Sequence, residues 1–349
     1  MVSIFWINFN SYSFINVVLE SLQGVLDLDY SNYELVIVDN GSMDGSFKVV
    51  KDFVEKKMSK IAVKIIELSC NTGFTGGNNV AYRARSQKSK YIVFLNNDAI
   101  SYPNSLKRLI EFIERDPSLG SIDGVLLTYD KRAIGSAGNF ISEIFTNHSL
   151  TSLPSKSNYI VFADGAYSIH RISSIKRAVG RDDSIFDDCM FAYYDDNVLG
   201  LKMWNTGSKV ISIPIITGRH KLSSSFGRIG AKQAYLSWRG QATLNEISKS
   251  RYKELTKLFF YGLYITTMVE RRILYRSQNL KELSAGILIG LKDGTFIGKE
   301  KRVLGESIDI YKSPIAKLSL SLIISLIPGI RLSRRITTKL DKQVIKTIK

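Results

Sequence analysis

The segment Tyr91–Leu95 constrains this chain most, because five apolar residues, rich in β-branched and aromatic types, follow one another without a break. Such a run predicts a strand that is buried on both faces, as in a parallel sheet. The run ends in Asn96, Asn97 and Asp98. Turn formation alone explains these polar residues, but open α/β sheets also bind ligands outside the carboxyl ends of their strands. Asp98 and its neighbours offer hard oxygen ligands of the kind that Mg²⁺ or Mn²⁺ prefers.

The sequence up to Asp116-Pro117 alternates between predicted strands and predicted helices, which is typical of an α/β domain with a mainly parallel sheet. Besides Tyr91–Leu95, strands are predicted at Val2–Asn8, Tyr33–Val38 and Ala62–Glu67, and helices at Phe14–Leu22, Phe47–Met58 and Leu106–Ile113. Short apolar runs at Val125–Leu127 and Tyr159–Phe162 predict additional strands. The first residues lack a charged segment and a cleavage site, so we expect a first strand there and not a signal peptide.

A glycine-rich stretch, Asn71–Asn79, precedes a helix that we expect to begin at Val80. Glycines let a backbone approach a ligand closely, and the N–H groups at a helix N-terminus can hold phosphate. The stretch matches neither a P-loop nor the dinucleotide-binding pattern. A tight loop without a ligand explains it equally well.

The segment from Asp182 to Trp204 is the most acid-rich part of the chain, and it contains Asp187, Asp188, Asp195 and Asp196. Adjacent carboxylates beside apolar side chains repel one another, so one of them is expected to have a raised pKa, which suits a general base. Asp195 or Asp196 could instead cap a helix that runs to Trp204. The two roles are compatible, because one acid can cap while the other faces a cleft.

The net charge of +16 is concentrated in the last third of the chain. Residues 1–230 hold 25 Lys and Arg against 23 Asp and Glu, whereas residues 231–349 hold 23 against 9. The last third also contains a helical apolar stripe over Leu255–Tyr275 and an uncharged stretch over Leu318–Ile330 with basic flanks. We therefore predict a catalytic domain over 1–230 and a basic amphipathic helical region over 231–349 that meets an anionic membrane surface. Packing of these helices on the catalytic domain or on another subunit is the alternative.

Seven landmarks occur in a fixed order along the chain: Asn8–Ser11, Val38–Asp44, Asn71–Asn79, Asn96–Asp98, Asp164–Ala166, Tyr194–Asp196 and His220. Over about residues 1–240 this series resembles the GT-A glycosyltransferases of family 2, especially the rhamnosyltransferase-like branch. The resemblance implies a GT-A, Rossmann-like fold, in which a mainly parallel sheet is flanked by helices. Here a basic, mainly helical C-terminal region would follow.

The resemblance also implies roles for individual residues. Nucleotide-sugar binding falls to Asn8, Asn10, Asp39, Asp44, Gly76, Gly77, Asn78, Asn96, Asn97 and Gly165. Asp98 and His220 would bind a divalent metal, Mn²⁺ or Mg²⁺. Asp196 matches the catalytic base, and Asp195 stands where the family has a glutamate, so both acids are candidates. Asn96 and Val198 also replace acids that relatives often carry.

The implied function is that of an inverting glycosyltransferase. It would move a sugar from a nucleotide-diphosphate donor to a hydroxyl of a glycan or lipid-linked acceptor in cell-surface polysaccharide synthesis. It would act peripherally at the cytoplasmic face of the cell membrane, without nucleic acid as a partner. One base and one displacement give inversion.

Two other functions agree less well with these sequence features. A sugar-phosphate nucleotidyltransferase needs a glycine-rich and basic loop after the first strand, where this chain has Asn8–Ser11. A nucleic-acid-binding protein would use the basic tail but would leave the polar strand ends unexplained. These motifs do not specify the donor sugar or the acceptor.

Overall fold

The computed structural model describes residues 1–221, 230–273 and 279–315. A ten-stranded sheet lies at the centre of the molecule. Its strands are β1 (Val2–Asn8), β2 (Tyr33–Asp39), β3 (Ala62–Glu67), β4 (Tyr91–Asn96), β5 (Ala99–Ser101), β6 (Leu119–Thr128), β7 (Ile134–Ser136), β10 (Asn158–Tyr159), β11 (Tyr167–Arg171) and β12 (Lys209–His220). Two small sheets pair β8 (Asn139–Ile141) with β9 (Asn147–Ser149), and β13 (Ser248–Lys249) with β14 (Ile308–Asp309).

The strands of the central sheet follow the spatial order β10-β12-β6-β11-β4-β1-β2-β3, with β5 beside β12 and β7 beside β6. The four strands β3, β2, β1 and β4 are parallel, β11 runs antiparallel to both β4 and β6, and β12 runs parallel to β6. The chain places β2 and β3 on one side of β1 and β4 on the other. This reversal makes the carboxyl ends of β1 and β4 the point where an open α/β sheet forms its ligand crevice.

Helices cover both faces of the sheet. In chain order they are α1 (Ile15–Leu26), α2 (Ser46–Lys57), α3 (Gly73–Ala84), α4 (Ser105–Arg115), α5 (Ile172–Val179), α6 (Asp195–Asn205), α7 (Ala231–Ile247), α8 (Lys253–Ile273) and α9 (Leu280–Val303). In β4, Val93 and Leu95 join one apolar core, whereas Ile92 and Phe94 join the other. This alternation confirms that the central apolar run is a strand buried on both faces.

The structure differs from the sequence prediction at the glycine-rich stretch. The prediction that a loop precedes a helix at Val80 is wrong, because α3 already begins at Gly73. A Cβ added at Gly77 would lie 3.0 Å from Ile7 Cγ2, and one added at Gly76 would lie 2.5 Å from Thr72 Cβ. These two glycines therefore let the helix pack closely on β1 and on Thr72, the residue that precedes the helix. They do not form a loop.

Two of the weaker strand predictions have different outcomes. Val125–Leu127 lies inside the longer strand β6. Only Tyr159 of the predicted strand Tyr159–Phe162 belongs to a strand, the short β10, while Phe162 makes an isolated bridge with Asn139. Ile160, Val161 and Phe162 are buried, whereas Tyr159 is exposed. The strand prediction failed because apolar character predicts burial but does not specify a partner strand.

The C-terminal helices pack through a stripe of four glycines on α9, at Gly286, Gly290, Gly294 and Gly298. A Cβ at Gly294 would lie 2.1 Å from the carbonyl oxygen of Arg239, and one at Gly290 would lie 2.4 Å from that of Tyr235. The backbones of α7 and α9 thus approach more closely than larger side chains would allow.

The apolar stripe predicted over Leu255–Tyr275 forms α8 as far as Ile273, and the rest of it lies outside the described residues, as does the whole of Leu318–Ile330. Within the described ranges, every helix is either too short or too polar to cross a bilayer.

Candidate active site

A pocket of about 650 Å³ opens at the carboxyl ends of β1 and β4. The segment Phe191–Asn197 and the first turns of α7 close its other side. Seven of the residues predicted from the sequence line it: Asn96, Asn97, Asp98, Gly165, Asp195, Asp196 and His220. Residues that are far apart in the sequence therefore share one cavity.

One end of the pocket holds Asp98 and His220, which β5 and β12 bring together. Because these strands pair with His220 opposite Ala99, the histidine lies beside Asp98, the residue before β5. His220 Nε2 and Asp98 Oδ1 are 2.9 Å apart, and both side chains are largely buried. Burial lowers the pKa of His220, but the hydrogen bond and charge of Asp98, together with the charge of Asp164, raise it above its usual value overall.

This pair can supply part of a metal site. Within the described residues no group of three His, Cys, Asp or Glu could hold a metal ion. Mg²⁺ is commonly held by one or two protein ligands together with substrate phosphates and water. A carboxylate oxygen and an imidazole nitrogen in contact at the pocket wall fit a divalent cation shared with a diphosphate.

The other functional end of the pocket holds Asp196. Its Oδ1 accepts a hydrogen bond of 2.8 Å from the N–H of Asn197, and its Oδ2 lies 3.8 Å from the position that a Cβ on Gly165 would occupy. Burial first, and then the charges of Asp195 and Asp164, raise the pKa of Asp196 well above the usual value. A carboxylate in this environment binds a proton more readily than an exposed one, as a general base must.

The adjacent acids Asp195 and Asp196 face different surroundings. Asp196 lines the main pocket, whereas Asp195 lines both this pocket and a small cavity behind it that contains Lys202 and Lys301. Burial raises the pKa of Asp195 to about 6. The first turn of α6 thus points one acid towards Gly165 and the other towards the interior.

Three residues before these acids have left-handed backbone conformations: Phe191 (φ 60°), Tyr193 (φ 69°) and Tyr194 (φ 65°). Such conformations cost about 1–3 kcal/mol each for residues other than glycine. The N–H of Thr75 donates to the carbonyl oxygen of Phe191 (3.1 Å), and Gly240 of α7 leaves just enough room for the carbonyl of Tyr193. Helices α3 and α7 therefore hold the strained segment from two sides.

Two predicted nucleotide-sugar residues, Asn8 and Asp39, form a buried network behind the pocket wall, and Asn97 of the lining joins it. Asn8 Nδ2 donates to Asp39 Oδ1 (2.8 Å), and Asn97 Nδ2 donates to Asn8 Oδ1 (3.3 Å). The carboxylate of Asp39 also accepts from the N–H and the hydroxyl of Ser42. The network therefore ties the ends of β1, β2 and β4 together.

Asn10 and Asp44 connect the loop that follows β1 with the loop that follows β2. Asn10 Oδ1 accepts from the N–H of Met43, and Asp44 Oδ2 accepts from the N–H of Tyr12. Burial acts to raise the pKa of Asp44, but hydrogen bonds from Ser46 and Tyr12 outweigh it and lower the pKa. These contacts fix the shape of the loops that flank the pocket.

Gly76, Gly77 and Asn78 lie buried inside α3, where Asn78 Nδ2 donates to the carbonyl oxygen of Phe74 (2.9 Å). The pocket lining on this side consists instead of sequence neighbours of the predicted residues, namely Asn40, Asn71, Gly73 and Phe74. The prediction that the seven residues behind the wall bind the nucleotide sugar stays a prediction.

Several pocket residues were not predicted from the sequence. Asp164 is one, although the polar break at Asp164–Ala166 after an apolar run pointed to it. It lines the pocket, and its charge raises the pKa of both His220 and Asp196. Lys232, Gln233 and Ser237 of α7 also line the pocket, and no local signal distinguishes them. They lie beyond the predicted boundary at residue 230, which stays a prediction.

Asp123 of β6 supports Asp164 from behind. Its Oδ2 accepts from the N–H of Asp164 (3.0 Å), and the side chain is fully buried. Burial raises the pKa of Asp123 to about 8, with the charge of Asp164 adding to the effect and the hydrogen bond from the N–H of Asp164 opposing it.

The mostly parallel curled sheet, with helices on both faces and polar residues at the strand ends, is the GT-A architecture, and the predicted fold class is confirmed. The chain belongs to the family "Glycosyl transferase family 2", whose model matches residues 3–177. This membership does not favour a nucleotidyltransferase or a nucleic-acid-binding protein. The rhamnosyltransferase-like branch stays a prediction.

A similar curated protein is the poly-beta-1,6-N-acetyl-D-glucosamine synthase of Staphylococcus epidermidis, 27% identical over 113 residues, which are 32% of this chain and 26% of the relative. The chain spans less than half the length of such curated relatives.

Among solved structures, S. aureus TarS 1-349 in complex with UDP-GlcNAc has a TM-score of 0.51 at 16% identity, covering 87% of this chain and 92% of that chain. The mannosyltransferase PcManGT from Pyrobaculum calidifontis, in complex with GDP-Man and Mn2+, has a TM-score of 0.51 at 13% identity, covering 99% and 85%. At these identities the likeness concerns the fold.

Proposed function

We propose that this protein is an inverting glycosyltransferase that moves a sugar from a nucleotide-diphosphate donor to an acceptor hydroxyl. One observation carries the proposal: the Asp98–His220 pair and Asp196 face the same pocket, and Gly165 lies against Asp196. A nucleotide-sugar transfer needs these two functions, charge neutralisation at the leaving diphosphate and proton acceptance from the acceptor, at opposite ends of one cavity.

The donor lies, in this proposal, along the carboxyl ends of β1 and β4. Its nucleotide contacts Asn40, Asn71 and Gly73, while the network around Asp39 keeps these loops in place. Its diphosphate reaches Asp98 and His220, which would hold Mn²⁺ or Mg²⁺. A divalent cation bound there supplies positive charge that stabilises the leaving nucleoside diphosphate.

The acceptor hydroxyl approaches the anomeric carbon from the side of Asp196. Asp196 takes the hydroxyl proton as the new carbon–oxygen bond forms and the bond to the diphosphate breaks. The raised pKa of Asp196 makes it a stronger base than an exposed aspartate. Because attack and departure occur on opposite faces of the same carbon in a single displacement, the anomeric configuration inverts.

The acceptor, we further propose, is a glycan or lipid-linked glycan of cell-surface polysaccharide synthesis, and transfer takes place at the cytoplasmic face of the membrane. The named activity of the Staphylococcus epidermidis relative supports a polysaccharide product. The excess of basic over acidic residues in 231–349 supports an anionic surface as a partner.

A panel of nucleotide sugars tests the proposed function. The full chain is mixed with UDP, GDP and dTDP sugars in Mn²⁺ or Mg²⁺, and thermal shift and release of nucleoside diphosphate are measured. We expect the nucleotide sugars of one class to raise the melting temperature of the wild type and to lose their nucleoside diphosphate in its presence. The same nucleotide sugars should bind Asp196→Asn, which should turn them over only slowly. Absence of both binding and release across the panel would contradict the proposal.

A further inference from the structure

Helix α8 carries a continuous apolar face that the rest of the described chain does not cover. Six large apolar side chains lie on it, each between 43% and 70% exposed: Leu255, Leu258, Tyr261, Ile265, Val269 and Ile273. Their spacing of three or four residues puts them on one side of the helix along nearly its whole length. Contiguous apolar surface of this kind marks an interaction site in monomeric proteins.

The opposite face of α8 is already used for packing. Phe259, Phe260 and Leu263 are buried against α7 and α9, and the ring of Phe260 meets Trp238 of α7 edge-on at a centroid distance of 6.4 Å. The exposed face is therefore additional to what α8 needs in order to fold onto the protein. A helix with a second, outward apolar face is suited to the boundary between water and lipid acyl chains.

The charges around this face favour lipid of one sign. Arg271 and Arg272 lie at one end of α8, whereas Lys253 and Lys257 at the other end pair with Glu246 and Glu254. The neighbouring helix α9 exposes three lysines and two glutamates beside the exposed apolar side chains of Leu288, Ile289 and Phe296, which leaves an excess of positive charge; the charged residues are Lys281, Glu282, Lys292, Lys299 and Glu300. Basic side chains beside apolar ones bind anionic lipid head groups. A second copy of the chain would bring the same positive charges together.

We propose that the exposed face of α8 docks on an anionic membrane surface and that α7 holds the pocket at a fixed height above it. On α7, the residues Lys232, Gln233 and Ser237 line the pocket, whereas Ala234, Trp238 and Ala242 pack in the cluster with α8. A turn of 3.6 residues places these two sets on roughly opposite faces of α7. The order from the pocket outwards is therefore pocket, α7, α8 and membrane.

This arrangement determines how far an acceptor must extend from the membrane to enter the pocket. Two stacked helices, each about 10 Å across, separate the pocket from the lipid by about 20 Å. A hydroxyl directly on a lipid head group would not cover this distance. The acceptor class that fits is a lipid carrier that already bears a glycan, and this consequence, unlike the docking itself, rests on the proposed function.

Point substitutions in the full chain test the docking. Removing α8 and α9 would be a poor test, because the glycines of α9 pack on α7, which lines the pocket. The double variant Leu258→Glu/Ile265→Glu changes two exposed side chains, and Ile65→Glu on the edge strand β3 is a single-site control that adds one carboxylate at a 39% exposed isoleucine. Sedimentation is measured with phosphatidylcholine vesicles that contain or lack phosphatidylglycerol, without any nucleotide sugar.

We expect the wild type and Ile65→Glu to bind the anionic vesicles, with binding that salt weakens, and the double variant to bind at least tenfold less. Thermal melts should show that all three proteins fold. Equal vesicle binding by the double variant would overturn the proposal. So would a wild type that ignores vesicles but forms a dimer, in analytical ultracentrifugation, that the double variant abolishes.

The outcome is independent of the proposed function, because vesicle binding is measured without catalysis. A protein that binds anionic vesicles but no nucleotide sugar would contradict only the proposed function. Failure to bind vesicles, with transfer to a soluble acceptor retained, would contradict the docking and the proposed membrane location but not the transfer reaction. Where both hold, the double variant should lose transfer to a vesicle-borne acceptor and keep transfer to the same glycan freed from its lipid.

Discussion

The two walls of the pocket are built in different ways. The wall with Asp98 stands at the ends of β1 and β4, where a ladder of parallel strands fixes each side chain through backbone pairing. The wall with Asp196 is a turn with three left-handed residues, held by α3 and α7. Regular pairing defines the first wall, whereas packing between distant elements defines the second. The second wall should therefore respond more strongly to substitutions far from the pocket.

The largest effect should come from the second wall itself. Asp196→Asn keeps the size and hydrogen bonding of the side chain but cannot accept the acceptor proton. We expect turnover to fall about 10²–10⁴-fold, the usual contribution of a general base, with donor affinity nearly unchanged. Asp195→Asn is the matched control and should have a milder effect, because that acid also faces the interior cavity. If Asp195→Asn abolishes turnover while Asp196→Asn retains it, their roles are reversed.

The first wall should control donor binding rather than the chemical step. Asp98→Asn removes a carboxylate that contacts His220 at the proposed metal position. We expect donor affinity in Mn²⁺ or Mg²⁺ to fall about 10–100-fold, the size of effect typical of a disturbed metal site. Calorimetry with the donor measures it, and the exposed acid variant Asp116→Asn serves as the control. Full activity in EDTA, or in Asp98→Asn, would contradict this role.

A substitution on α9, which packs on α7, tests whether helix packing positions the wall with Asp196. A leucine at Gly294 of α9 would collide with the backbone of Arg239. We expect Gly294→Leu to lower the free energy of unfolding by about 1–3 kcal/mol and to reduce turnover through displacement of α7. Ala285→Leu, on the exposed face of α9, should change stability by less than about 0.5 kcal/mol. Equal effects of the two variants in denaturant melts would remove the link between α9 and the pocket.

The smallest effect concerns Asp123, which supports Asp164 of the pocket lining. Its pKa is raised from the usual 3.8 to about 8 in the folded protein, so the folded state binds the extra proton over that range. Its contribution to stability is thus greatest at low pH and is lost as the pH rises towards 8. Asp123→Asn cannot ionise, so its melting temperature should gain on that of the wild type by about 2–4 °C, or about 1 kcal/mol, for each pH unit between pH 5 and pH 8. If the difference in melting temperature between the variant and the wild type does not change with pH, Asp123 ionises with its usual pKa.

The same contrast explains which features the sequence could predict. The strand Tyr91–Leu95 and the position of Asp98 at its end followed from local apolar character, because sheet topology fixes what happens at strand ends. The early start of α3 was missed because glycines usually indicate a loop, and here packing against β1 overrides their low helix propensity.

Several features of the wall with Asp196 could be recognised only in the folded structure and not in the sequence. Lys232 carries no local signal, since its place in the pocket depends on how α7 packs on the segment before α6. The left-handed conformations of Tyr193 and Tyr194 are equally hidden, because tyrosine does not favour them and only surrounding contacts impose them. Sequence motifs could name Asp196 as a candidate, but its orientation towards Gly165 depends on that imposed backbone.

The configuration of the transferred sugar tests the central claim most directly. Once a donor is identified, NMR of the initial product reports whether the anomeric centre has inverted or kept its configuration. A single base, Asp196, acting on the acceptor in one displacement predicts inversion in every turnover, with Asp196→Asn making the same anomer slowly. A product that retains the donor's configuration would contradict the account, because a single displacement by the acceptor hydroxyl from the face opposite the diphosphate can only invert it.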